Sequence, residues 1–211
     1  MIRQEGRLES ARRPIASRSS GWAIALAGRL ARAGVTPNSI SVASVGFAAL
    51  GGALLLVPHP LAWIGAALCV QARLVCNLLD GMVAIEGGMK TPTGALYNEF
   101  PDRIADTLFL VPLGYAAGLP WLGWACALLA ALTAYVRVFG GSVGLAQDFS
   151  GVMAKQRRMA ALTLALVIAA IELPLLGTRW ALLACGAVIT LGSLVTCVTR
   201  SQGIARALTR A

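Results

Sequence analysis

Six long apolar segments occupy most of this chain, and each is close to the length that a helix needs to span a bilayer. About 20 mainly apolar residues cross roughly 30 Å of hydrocarbon. The segments lie approximately at residues 39–57, 61–85, 95–117, 119–143, 154–176 and 180–199. Because lipid offers the backbone no hydrogen-bond partners, such segments fold as helices. The sequence therefore predicts an all-α integral membrane protein with six transmembrane helices.

The composition agrees with a membrane location. Of the 211 residues, 57% are hydrophobic and only 13% are charged, and the formal net charge is +9. Soluble domains usually have about a quarter of their residues charged. In a membrane protein the positive charge is explained by cytoplasmic loops and anionic lipids, so we expect membrane lipids and no nucleic acid as partners. The abundance of Arg and Ala indicates a bacterial source, and we expect a multi-pass protein of the inner membrane.

The charges are distributed unevenly across the predicted bilayer. The joints near residues 59 and 119 are short and uncharged, and the joint near residue 177 has only Arg179. The other side has the N-terminal arginines and Lys90, Arg103, Lys155, Arg157, Arg158, Arg200, Arg206 and Arg210. Because Lys and Arg are retained in the cytoplasm, both termini and the loops at 86–94 and 144–154 are predicted to be cytoplasmic.

Residues 1–34 are predicted to form an arm separate from the membrane domain at 35–211. The first 20 residues are polar and rich in Arg, with no apolar core of a signal peptide. Residues 21–34 read as an amphipathic helix in the membrane interface, with apolar and basic residues at helical spacing. These residues are Trp22, Ile24, Leu26 and Leu30, with Arg29 and Arg32. Asn38 or Ser39 is predicted to cap the helix that follows.

Polar residues between positions 73 and 106 form two helical faces. Five of the nine acidic residues lie here: Asp80, Glu86, Glu99, Asp102 and Asp106. One face has Arg73, Asn77, Asp80 and Ala84, and the other has Asn98, Asp102 and Asp106 with Glu99 beside it. Charges at the edge of a membrane span are costly and indicate function. A short loop between the two helices is expected to bring these faces together.

Two explanations of the acidic faces stay open. Clustered carboxylates without His or Cys favour a hard cation such as Mg²⁺, Mn²⁺ or Ca²⁺. Alternatively, the carboxylates pair with Arg73, Arg103 and Arg137 in a buried network. His59, the only histidine, lies in a joint between two segments, and the five cysteines lie within apolar segments, where they act as small hydrophobic residues.

The stretch resembles the signature of the CDP-alcohol phosphotransferases (CDP-alcohol phosphatidyltransferases), Asp-x-x-Asp-Gly-x-x-Ala-Arg followed by Gly-x-x-x-Asp-x-x-x-Asp. Here it reads Asn77-x-x-Asp80-Gly81-x-x-Ala84-Ile85 and Gly94-x-x-x-Asn98-x-x-x-Asp102. The Thr-Pro-Asn before the first span and the six-span topology are also similar to the family. The departures are Asn77 and Asn98 in place of aspartates, and Ile85 in place of arginine.

The resemblance implies a role for each matching residue. In the family the first three aspartates help to bind divalent metals and the CDP diphosphate, and the fourth is the proposed base. The implied metal ligands (Mg²⁺ or Mn²⁺) are Asp80, Asn77, Asn98, Glu99 and Asp102. The implied CDP-binding residues are Asn77, Asp80, Gly81, Ala84 and Gly94. The base is Asp102 or, in a register displaced by one helical turn, Asp106.

Basic residues around this stretch are candidates for binding phosphate or a phosphorylated acceptor. Lys155, Arg157 and Arg158 begin the fifth segment, and Arg137 lies deeper in the fourth. Ordinary anchoring by the positive-inside rule also explains the first three. Arg137 could instead pair with Asp102 or Asp106.

The resemblance implies an enzyme of phospholipid biosynthesis with its site facing the cytoplasm. An acceptor hydroxyl attacks a CDP-linked lipid or alcohol donor and CMP leaves, and a homodimer is implied. The missing aspartates motivate an alternative, a non-catalytic relative that binds CDP-lipid or metal. A small transporter also accommodates charges within the membrane, but the sequence has no internal repeat to support it.

Overall fold

The computed structural model describes residues 20–89 and 91–210, and the N-terminal residues 1–19, Lys90 and Ala211 lie outside this range. Seven α-helices make up the regular structure of the described residues. They are α1 (Gly21–Arg32), α2 (Pro37–Leu55), α3 (Pro60–Glu86), α4 (Gly94–Ala116), α5 (Pro120–Ser142), α6 (Lys155–Leu176) and α7 (Trp180–Leu208). The prediction of an all-α membrane protein is confirmed.

Five of these helices are long and apolar enough to cross a membrane: α2, α3, α5, α6 and α7. The sixth predicted span corresponds to α4, which has 23 residues but is not among these five. The difference arises because α4 has four charged side chains close together in the sequence: Glu99, Asp102, Arg103 and Asp106. The charges that identify the candidate site are thus the reason why α4 does not qualify as an apolar span.

Prolines define where several helices begin. Pro37, Pro60 and Pro120 each occupy the first turn of a helix, where the missing N–H needs no partner. The predicted caps Asn38 and Ser39 are wrong, because Pro37 starts α2 earlier and Thr36 is the cap. The Thr36 side-chain oxygen accepts a hydrogen bond of 3.2 Å from the backbone N–H of Ser39.

The start of α3 agrees with expectation, whereas the end of α7 does not. His59 precedes α3, and its Nδ1 accepts from the Leu61 N–H at 3.2 Å, in agreement with a loop position. The last helix continues to Leu208, beyond its predicted end at residue 199. All five cysteines are free thiols, and Cys69, Cys126 and Cys185 are buried.

The helices pack around one apolar core. Helix α2 packs on both α3 and α4, α6 packs on α3 and α7, and α5 packs on α4 and α7. Fully buried side chains at the centre include Trp63, Phe109, Leu113, Leu162, Leu166 and Leu182. The outer surface is also apolar, with exposed side chains such as Leu61, Leu68, Trp121, Leu128, Leu164 and Leu175. An apolar exterior around an apolar core is expected of a bundle surrounded by lipid.

The short helix α1 packs on the part of α3 that precedes the loop to α4. Ala23 and Ala27 are fully buried against Leu78 and Met82. Trp22 is 53% exposed, on the side of α1 that faces away from this cluster. The predicted amphipathic helix is therefore present, and its buried face fixes it to the helix that contributes Asp80.

Two glycines allow α4 and α5 to cross closely. A Cβ atom on Gly123 would lie 2.5 Å from the Val111 carbonyl oxygen, and one on Gly114 would lie 2.4 Å from the Gly123 nitrogen. Small residues at such crossings let helix backbones approach and pack in lipid. The position of α4 next to α5 therefore depends on this pair.

Gly123→Ala is expected to destabilise the bundle by about 1–3 kcal/mol, because overpacking at a close crossing forces the backbones apart. The measurement is the thermal unfolding midpoint of the purified protein in detergent. Gly46→Ala is the matched control, since Gly46 lies within α2 and a Cβ added there would meet no neighbouring atom within 4 Å. An unchanged midpoint for Gly123→Ala would contradict the close crossing.

Candidate active site

Asp80 is a buried carboxylate of α3, with 7% of the residue exposed. Its Oδ2 accepts a hydrogen bond of 2.8 Å from the Ser41 hydroxyl of α2. Asp80 forms no ion pair with any described residue, whereas Glu99, Asp102 and Asp106 each pair with a cation. Its negative charge is therefore left without a protein cation at bonding distance.

Asp102 of α4, in contrast, is surrounded by donors. Its Oδ1 accepts from Arg73 Nη2 at 3.2 Å and from Asn77 Nδ2 at 3.0 Å. Its Oδ2 forms an ion pair with the Lys155 ammonium and a longer one of 3.7 Å with Arg103. The Asp102 side chain keeps 13% of its surface exposed. It is thus held firmly but remains open on one side.

Asp106 lies one helical turn further along α4 and is enclosed. Arg73 Nη2 reaches its Oδ1 at 3.0 Å, and Arg158 Nη2 reaches its Oδ2 at 2.8 Å. Only 3% of the Asp106 side chain is exposed, and the two arginine side chains are 0% and 1% exposed. Asp106 therefore joins α3, α4 and α6 through two buried charge-assisted hydrogen bonds.

The two polar faces meet through side chains rather than through backbone packing. Helix α2 packs on both α3 and α4, while the backbones of α3 and α4 stay apart. Arg73 spans the gap and contacts both Asp102 and Asp106. The predicted convergence of the faces is thus present, in a polar region between α3 and α4 that contains Arg73, Asn77, Asp102 and Asp106.

The Glu99 side chain contacts α5. Arg137 Nη2 donates to both Glu99 carboxylate oxygens, at 2.6 and 2.7 Å. Arg137 also bonds to the Gln147 side chain and lies 4.9 Å from the centre of the Phe149 ring. Glu99 and Arg137 therefore fasten the loop between α5 and α6 to α4.

The predicted ion-pair alternative is thus present for three carboxylates: Arg73 and Arg103 pair with Asp102, Arg73 with Asp106, and Arg137 with Glu99. The remaining predicted site residues are more open. Asn98 is exposed on α4, Gly81 and Ala84 are half-buried on α3, and Gly94 is the first residue of α4. Arg157 is exposed and donates to the Gly151 carbonyl at 3.3 Å.

Two residues of this region are not predicted from the sequence. Ser41 lies in a segment that reads as an apolar span, although Ser41 and Ser44 form a small polar stripe on α2 that is compatible with a buried contact. Arg200 reads as part of a cytoplasmic tail, but it is buried in α7 and donates to the carbonyls of Ser150 and Thr133. In the sequence, only the spacing of four residues between Thr196 and Arg200, which places both on one helical face, indicates that Arg200 is directed into the bundle.

Known proteins are similar to this chain over most of its length. The phosphatidylinositol phosphate synthase of Mycolicibacterium smegmatis is 27% identical over 188 residues, 82% of this chain and 79% of that protein. The archaetidylinositol phosphate synthase of Aeropyrum pernix is 30% identical over 181 residues, 86% of this chain and 89% of that protein. The chain belongs to the CDP-alcohol phosphotransferase family. No protein-family model matches the chain.

The family fold is also found among solved structures. The crystal structure of Mycobacterium tuberculosis phosphatidylinositol phosphate synthase with CDP-DAG bound has a TM-score of 0.71 and 22% identity, and the match covers 86% of this chain and 92% of that one. The same protein in complex with manganese and citrate has a TM-score of 0.70. Family membership confirms the predicted class, a membrane transferase of phospholipid biosynthesis, and the family depends on divalent metal ions.

The donor set decides whether such an ion fits here. Among the described residues, no three Asp, Glu, His or Cys side chains converge as metal ligands. Asp80 nevertheless supplies a buried carboxylate without an ion-pair partner, and Asn77 and Asn98 supply neutral oxygens on the facing helices. Oxygen donors of this kind suit Mg²⁺ or Mn²⁺. The residues therefore fit a divalent ion bound mainly through Asp80.

Proposed function

We propose that this protein transfers a phosphatidyl or phospho-alcohol group from a CDP-linked lipid or alcohol to an acceptor hydroxyl, with release of CMP. The observation that carries the proposal is that the two retained signature carboxylates, Asp80 and Asp102, belong to neighbouring polar faces: Asn77, one helical turn before Asp80 on α3, donates a hydrogen bond of 3.0 Å to Asp102 on α4. Both relatives are synthases of inositol phosphate lipids. We therefore propose a phosphorylated polyol as the acceptor.

In the proposed reaction, the acceptor oxygen bonds to the donor phosphorus next to the lipid. The bond from that phosphorus to the CMP oxygen breaks, and the hydroxyl proton moves to Asp102. Asp102 suits this role better than Asp106 because its side chain is 13% exposed, against 3%. Arg73 and Asn77 fix its Oδ1, so the carboxylate is oriented before the substrate arrives.

The donor diphosphate is proposed to bind near Asp80, with Gly81, Ala84 and Gly94 leaving room for its approach. A divalent ion held by Asp80, Asn77 and Asn98 would supply positive charge that neutralises the diphosphate and the leaving CMP. Glu99 and Asp102 belong to the predicted ligand set, but in the structure both are engaged by protein cations.

The basic residues divide into two groups under this proposal. Arg137 and Arg158 are 8% and 1% exposed and are paired with Glu99 and Asp106, so they act mainly by holding the site together. Lys155 and Arg157 begin α6 and are more open, although Lys155 is also paired with Asp102. We propose that these two attract the phosphate of the acceptor, because a basic rim favours anionic substrates.

The topology belongs to the same proposal. With α4 as the sixth span, the basic ends of α4, α6 and α7 lie on the cytoplasmic side, together with both termini and the active site. Residues 1–34 then form the interfacial arm and residues 35–211 the catalytic domain. A homodimer in a bacterial inner membrane completes the arrangement that the family resemblance implies.

The test is release of CMP by purified protein from CDP-diacylglycerol in the presence of Mg²⁺ or Mn²⁺ and a panel of inositol phosphate, glycerol phosphate and free alcohols. We expect CMP with at least one phosphorylated acceptor, and background levels for Asp80→Ala. Binding of CDP-diacylglycerol without CMP from any acceptor would contradict the transferase and favour the non-catalytic relative.

A further inference from the structure

We infer that the Lys155 ammonium takes the place of a second divalent ion, so that this site holds one metal ion and one protein-borne cation. The inference rests on the proposed function for the identity of the site. It concerns the residues of this chain that set the positive charge around Asp102.

Buried charges of both signs lie around Asp102. Three carboxylates, Asp80, Asp102 and Asp106, are accompanied by three cations, Arg73, Lys155 and Arg158, which contact Asp102 and Asp106 but not Asp80. Arg103 adds a fourth cation that is 26% exposed. One divalent ion gives the cluster a positive charge that a diphosphate can offset. Two would add four positive charges to a poorly solvated space, which is strongly unfavourable.

Both carboxylate oxygens of Asp102 are already engaged. Arg73 and Asn77 donate to its Oδ1, and Lys155 and Arg103 contact its Oδ2. Both oxygens of the carboxylate are therefore used by nitrogen donors. A lysine ammonium is a compact point charge, the side-chain group closest to a small cation in this respect. The Lys155 ammonium therefore occupies an oxygen of Asp102 that a second ion would otherwise be free to bind.

Asn77 and Lys155 both contact Asp102. In the register of the family signature, Asn77 stands where an aspartate would supply a metal ligand. Its amide Nδ2 donates to Asp102 at 3.0 Å, a bond that an aspartate at 77 could not make. An aspartate there would also place a second negative charge beside Asp102. The neutral amide and the lysine thus belong to the same arrangement.

Lys155 is held in this position by the loop that precedes it. Arg200 donates to the Ser150 carbonyl from Nε at 2.9 Å and from Nη2 at 2.6 Å. The Met153 N–H donates to the Thr196 hydroxyl at 2.9 Å. Two contacts from α7 therefore fix the residues just before Lys155. The ammonium is part of a built site and not a mobile surface charge.

The test is the number of Mn²⁺ ions bound by the purified full-length protein in detergent, measured by equilibrium dialysis and by electron paramagnetic resonance. We expect one ion per chain and no magnetic coupling between ions. Two ions per chain, or coupled ions roughly 3.5–4 Å apart, would overturn the inference. Absence of Mn²⁺ binding would overturn it as well.

A set of variants tests the role of Lys155 directly. The triple variant Lys155→Ala, Asn77→Asp, Asn98→Asp is expected to bind two coupled ions. The matched control, Asn77→Asp with Asn98→Asp and Lys155 retained, is expected to bind one, and two ions in this control would overturn the inference. Because the wild-type count needs neither a variant nor turnover, two ions or none would overturn the inference even if a variant fails to fold or if no acceptor releases CMP.

Discussion

Asp102→Asn is expected to lower the rate of CMP release by about 10²–10⁴-fold, because a positioned general base contributes roughly that factor. The amide keeps the size of the side chain, so Asn77, Arg73 and Lys155 lose a charged partner but not the packing around it. The measurement is the initial rate of CMP release at saturating donor, with binding of CDP-diacylglycerol measured in parallel. We expect binding to persist while turnover is lost.

The matched control for this prediction is Thr107→Ala. Thr107 lies on the same helix, is exposed, and donates only to the carbonyl of Arg103. Its loss is expected to change the rate less than twofold. A rate for Asp102→Asn within a factor of ten of the wild-type rate would show that Asp102 is not the base.

Asp106→Asn is expected to act on stability, with a loss of about 3–5 kcal/mol. Removal of one partner of a buried ion pair leaves the other charge uncompensated. Arg158 would lose its carboxylate, and Arg73, which is 0% exposed, would keep only Asp102. Two buried nitrogens of Arg73, Nε and Nη1, already have no hydrogen-bond partner among the described residues. The measurement is the free energy of unfolding in detergent, or the thermal midpoint.

A double variant separates the charge effect from a packing effect. Asp106→Asn combined with Arg158→Gln removes both charges of one pair, and its loss of stability is expected to be smaller than the sum of the two single losses. Additive losses would mean that the pair contributes nothing as a pair. An unchanged stability of Asp106→Asn would contradict the structural role and make Asp106 a candidate base again.

The helices and the convergence of the two polar faces are predictable from the sequence because both depend on local periodicity. Apolar length predicts all six long helices, although only five are apolar enough to cross a membrane, and the spacing of Asn98, Asp102 and Asp106 places these three residues on one face of α4. Helix ends are less predictable where a proline competes with a capping residue, as Pro37 does with Asn38. A short signature in the sequence indicates the family, and the similarity to a relative extends over most of the chain.

The partners of the charged side chains are not predictable from the sequence. Arg73 can neutralise a carboxylate or leave it to a metal, and only the distances to Asp102 and Asp106 distinguish the two. From the sequence, Lys155 is interpreted as a membrane anchor or a phosphate ligand. Its contact with Asp102 is not predictable, because that contact depends on a loop held by Arg200, which lies 50 residues after Ser150. Long flexible side chains take their partners from the tertiary structure, which local patterns do not contain.

The charges on α4 also have a consequence for how the protein is made. In the proposed topology α4 is the sixth span, and each charged residue near the centre of a helix raises the cost of its insertion by about 2.5–3.5 kcal/mol, so α4 is a poor substrate for insertion on its own. Arg73 on the preceding α3 is synthesised first and can neutralise one carboxylate as α4 leaves the ribosome. Lys155 and Arg158 follow only with α6. The polar site is therefore completed late in biogenesis, when α6 enters the bilayer.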